Sequence, residues 1–87
     1  MKKDSTLTID ENYTVTVKKD HKETTEGNYK LDVKKEIYIE AADKVEIKSG
    51  DASLILKSNG DIELKGGKIK IDASGDVIIK GSKVGQN

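Results

Sequence analysis

Eighty-seven residues with no cysteine and a single histidine, His21, exclude disulfides, thiolate metal sites and any multi-histidine site within one chain. Sixteen basic and sixteen acidic side chains cancel, which removes an overall electrostatic pull toward nucleic acid or anionic lipid. Charged residues make up 37% of the chain, but they alternate with β-branched residues instead of forming the blocks typical of disorder.

The first ten residues, "MKKDSTLTID", lack the apolar centre of a signal peptide, and no later apolar run is long enough to span a bilayer. Strand pattern begins at once with Leu7 and Ile9, which is expected of a fragment of a longer protein. Apolar residues then recur in pairs two apart: Val15/Val17, Leu31/Val33, Ile37/Ile39 and Val45/Ile47, followed by Leu54/Leu56, Ile62/Leu64, Ile69/Ile71 and Val77/Ile79. Alternation of this kind places one row of side chains on a covered face of an extended strand, and no helical spacing is sustained anywhere.

The distance between units carries more information than the units themselves. Corners placed two residues before each inward set fall at Glu11, Lys19, Gly27, Lys35, Asp43 and Asp51, a step of eight residues held five times. Steps of nine, seven and eight then reach Gly60, Gly67 and Gly75 within "ILKSNGDIELKGGKIKIDASGDVIIKG". Every corner is glycine or charged, as an exposed bend requires, and inward positions stay odd-numbered from Glu11 to Asp51. A hairpin meander has compatible spacing, and Asn59-Gly60 is a good hairpin dipeptide. Corners such as Lys19 and Lys35 do not supply the positive φ of tight hairpins, so gentle bends around a prism are preferred. The expectation is an all-β solenoid or β-helix with about eight residues per strand unit.

A chain this short buries little surface alone. Three copies wound about one axis bury more per residue and pair every strand above and below, leaving edges only at the ends. The preferred reading is therefore a homotrimeric, triple-stranded β-helix formed by one domain, residues 1–87. A single-chain solenoid is the alternative. In a trimer, His21, Glu23 and Thr25 occupy inward positions where neighbouring units carry Tyr13, Val15 and Val17 or Tyr29, Leu31 and Val33. Their three copies would form an axial polar layer that holds water or an ion, or else the register flips locally and exposes them. The Gly66-Gly67 and Ser74-Gly75 pairs read as corners, not phosphate cradles, because neither leads into a helix. The tail, Lys83, Val84, Gly85, Gln86 and Asn87, ends the prism with open strand edges and is the expected tip or cap-binding end.

The cadence "SGDASLIL…GDIELKG…KIKIDASGDVIIKGSKV" resembles the end of VgrG proteins, the spikes of bacterial type VI secretion. The stretch "YTVTVKKDHKETTEGNYKLDV" is similar to the eight-residue repeats of the triple-stranded β-helix in that family and in the related phage-tail needle. The resemblance implies a parallel homotrimeric needle at the end of a spike mounted on a tube of Hcp rings. It also implies a PAAR-type cap or effector at the C-terminal end and transient passage through a target-cell membrane. Hub domains, through which the Hcp tube would be bound, are not among these residues. Spike tips that bear metal typically use a His-x-His pair near the apex, a pattern that lone His21 does not match, so no cofactor is expected. Such a protein is made in the bacterial cytoplasm without a signal peptide, then secreted or delivered into the target cell.

Two other function classes remain alongside this one. A stalk or binding module, trimeric or single-chain, would recognise a surface polymer through its charged face, but the chain shows neither coiled-coil heptads nor long adhesive insertions. An enzyme on a β-solenoid would need convergent acid and base residues, and acids here occur wherever the polar face does. No catalytic role is expected.

Overall fold

The structure is a computed structural model that describes residues 6–85. It is all-β, with no helix among the described residues. The chain divides into two units, residues 1–35 and residues 36–87.

The first unit is extended backbone broken by bends. These fall at residues 10–11, 18–19, 26–27 and 34–35, a spacing of eight, and coincide with the corners Glu11, Lys19, Gly27 and Lys35. Alternating Tyr, Val, Leu and Thr residues favour an extended backbone between them, because branched and aromatic side chains fit a pleated surface. No backbone hydrogen bond joins these segments to one another among the described residues.

The second unit begins in the same way, with a bend at 42–43 and the next at 50–51. Here the chain pairs with itself. Strands β1 (Lys44–Ser49), β2 (Ala52–Lys57) and β3 (Ile62–Lys65) form an antiparallel sheet in the order β1-β2-β3. Val45 lies opposite Leu56, and Ile47 opposite Leu54; Leu54 in turn faces Leu64, and Leu56 faces Ile62. Period-two alternation therefore puts Val45, Ile47, Leu54, Leu56, Ile62 and Leu64 on one face. The other face carries Lys44, Glu46 and Lys48 beside Ser53, Ile55 and Lys57, then Glu63 and Lys65.

Two glycines explain why the chain turns back here. Gly50 has φ +55° at the first central position of a two-residue loop, while Asp51 keeps a negative φ. That is the pattern of a type II′ hairpin turn, which needs glycine first. The other bends of the eight-residue series either lack glycine or, as at Glu26-Gly27, hold it second. At the next turn Gly60 donates to the Lys57 carbonyl at 3.1 Å, and Lys57 donates to the Asp61 carbonyl at 2.9 Å. With Gly60 at φ +100°, this is a type I turn over Ser58-Asn59 closed by a glycine bulge. The Asn59 side-chain oxygen accepts from the Asp61 N–H at 3.0 Å and fixes the loop from within. The expectation of gentle corners thus gives way to tight hairpins at Gly50 and Gly60. Beyond β3 the backbone is again extended, with bends at 67, 74–75 and 82.

Among the described residues none is buried. The apolar face of the sheet has no layer packed on it: Ile47 is 61% exposed and Leu64 58%.

Candidate functional site

The most extensive feature of the described residues is exposed backbone outside any ladder, not a pocket of reactive groups. Residues 12–17, 20–25, 28–33 and 36–41 lie between bends and belong to no strand or helix, and no peptide group there is paired with another of the described residues. Segments 68–73 and 76–80 repeat this pattern after the sheet. Each such segment offers a row of N–H and C=O groups, which is a template for another strand. All but the polar segment 20–25 also expose apolar alternates, among them Val15, Leu31, Ile39, Ile71 and Ile79. A backbone ladder and an apolar row along the same segment are what one strand offers to a partner strand.

The hairpin sheet presents the same combination in compact form. Its apolar face holds an open hollow lined by Ile47, Ala52, Leu54 and Leu64. The opposite face is stitched by charge. Glu63 receives the Lys57 ammonium at 2.7 Å on one carboxylate oxygen, and the Lys65 ammonium lies 3.8 Å from the other. The Lys57 hydrogen bond and positive charge hold the Glu63 carboxyl below its usual range, and the same hydrogen bond and the negative charge of Glu63 raise Lys57. Ile55 sits between Glu46 and Glu63 on this charged face and is half-buried. The three-apolar run Leu54-Ile55-Leu56 signals a residue of the opposite parity, as do Tyr38 and Ile78, and pairwise reading of the pattern overlooks them.

The expected axial residues lie together on one extended segment. The His21 imidazole Nε2 is 3.4 Å from a Glu23 carboxylate oxygen, with both side chains about three-fifths exposed, at 59% and 62%. Glu23, Thr25 and Tyr29 line a shallow hollow. Exposure does not set this polar trio apart, because Tyr13, Val15 and Val17 before it and Tyr29, Leu31 and Val33 after it are exposed as well. No cluster of three or more histidine, aspartate or glutamate residues converges as a metal site among the described residues. At the C-terminal end, Lys83, Val84 and Gly85 follow the bend at Ser82, and Val84 is 61% exposed. Gln86 and Asn87, the rest of the expected cap-binding end, lie outside the described residues. Among the described residues no helix is long and apolar enough to cross a membrane. No protein family matches the chain, and comparison with curated proteins and with solved structures finds no match.

Proposed function

We propose that this chain is the needle segment of a contractile secretion spike, built from three copies wound as a parallel, triple-stranded β-helix. The observation that carries the proposal is the run of bends every eight residues, separated by segments with no same-chain backbone partner among the described residues. Peptide groups along these exposed segments are hydrated and open to pairing, and enclosing them in a rod requires strand partners. A solenoid made of one chain would supply them by pairing units three apart, and no such pairing occurs among the described residues. Three chains supply them by pairing each unit with units of the other two.

The function then follows from mechanics. Ten or so strands stacked on each face at about 4.8 Å make a rod of roughly 45–50 Å. Its hydrogen bonds run along the axis, so axial force compresses every ladder together and peels no single strand away. The aliphatic rows fill the axis, and the balanced lysines and acids keep the outside hydrated. On the resemblance to VgrG proteins, the rod carries a PAAR-type cap or effector at the end bearing Lys83 and Val84. It joins an Hcp tube only through domains outside these residues and crosses a target membrane as the sheath contracts. The polar segment of His21, Glu23 and Thr25 forms a hydrated axial layer in this arrangement, and no reaction is assigned to the chain.

Sedimentation equilibrium tests the assembly. A mass of three chains at micromolar concentration is the expected result, and a monomer throughout that range would overturn the proposal.

A further inference from the structure

We infer that the β1–β2–β3 sheet belongs to the free chain alone and opens into wound strand units when three copies assemble. This rests on the trimeric reading. The first line of support is the position of the bends. The hairpin turns at 50–51 and 58–60 continue the eight-residue series that begins at 10–11, so one set of break points serves both arrangements. The second is parity. Val45, Ile47, Leu54, Leu56, Ile62 and Leu64 share the apolar face of the sheet, and these same residues form the inward row of a wound strand. Folding back and winding on therefore gather the same side chains on one face and place the same charges on the other.

The third line concerns what holds the sheet. One face is bare, with Ile62 69% exposed, and a small sheet with an uncovered apolar face is marginal in water. Its ties across the turn are the exposed Lys57–Glu63 pair and the Asn59–Asp61 contacts, which are surface interactions of small worth. A marginal packing is readily given up when a partner binds only the alternative arrangement. In the free chain the sheet pairs three units that would otherwise present open edges, and it lowers the tendency to pair with wrong partners. Assembly must then reopen it, so the folded-back fraction taxes the rate at which trimers form.

The test locks the sheet. Lys44 and Lys57 are partners at the end of the β1–β2 ladder, next to the Ser58 to Asp43 hydrogen bond, so theirs is the non-hydrogen-bonded kind of pair. Such pairs bring Cα atoms to about 4.5 Å, within disulfide reach, and the protein has no other cysteine. In wound strands the same two residues lie on different sides of the 50–51 corner, too far apart to bridge. The Lys44→Cys/Lys57→Cys chain should therefore trimerise when reduced and lose about ten-fold or more of its association when oxidised. Equal trimer formation by both forms would show that the sheet persists in the assembly, overturning this inference and leaving the trimer intact. A second readout needs no substitution. Proximity of the Glu46 and Ile55 α-protons within one labelled chain should be present in dilute monomer and absent from the trimer. Its survival in the trimer overturns the inference even where the double variant fails to assemble. A chain that is monomeric in every form overturns the trimeric reading, and this inference with it.

Discussion

Glu63 has charged partners on both of its carboxylate oxygens. It accepts a short hydrogen bond from Lys57 and lies near Lys65, and both favour its charged form. A carboxylate held below its ordinary range contributes stability at neutral pH that is lost as pH falls through its lowered value. A lysine raised above its ordinary range contributes stability that is lost as pH rises through the raised value. The sheet of the free chain should therefore weaken at both extremes, below the ordinary carboxylate range and above the ordinary lysine range. Amide exchange of β2 and β3 against pH is the measurement, and Glu63→Gln should remove the acid limb of that profile. Nothing in the sequence marks this pair. Lysine and glutamate recur throughout the chain, and the turn at 58–60 brings Lys57 and Glu63 to diagonal positions on one face of the sheet. His21, Glu23 and Thr25, by contrast, are singled out in the sequence because they interrupt an apolar row.

At the level of the element, glycine decides whether a bend becomes a hairpin. Gly50 stands first in its turn with φ +55°, and a Cβ placed there meets nothing within 4 Å. The cost of Gly50→Ala is therefore backbone strain alone, about 1–2 kcal/mol against the β1–β2 hairpin. Loss of the Glu46–Ile55 proximity in the free chain, with the extended segments unchanged, is the expected signature. Ile71 belongs to the other kind of segment, one without a backbone partner among the described residues, and is 68% exposed. In a wound trimer its three copies converge on the axis. Ile71→Arg would bury three like charges there, and breaking an apolar contact with an unpaired charge costs several kcal/mol. Trimers should be lost by sedimentation and, on the proposed function, secretion of a spike carrying this segment should be lost with them. Unchanged assembly would mean that Ile71 faces outward.

At the scale of the whole molecule, an unusual amount is legible from sequence alone. The corners at Glu11, Lys19, Gly27, Lys35, Asp43, Asp51, Gly60, Gly67 and Gly75 each coincide with a bend or turn of the chain. Bend position is a local property, set where the alternation of branched residues yields to glycine or charge, so a single chain carries it in full. The all-β class follows for the same reason, since two-residue periodicity cannot be accommodated by a helix. Which strand pairs with which is a different kind of fact. The pattern Val45/Ile47, Leu54/Leu56, Ile62/Leu64 satisfies both a wound prism and a folded-back meander, because each keeps these six residues on one face. Only the tertiary structure decides for the meander in this chain, through the positive φ of Gly50 and Gly60 and the ladder that closes behind them. Local sterics fix where the chain bends. Its partners are chosen by hydrogen bonds made across distance, and these depend on which backbone is within reach.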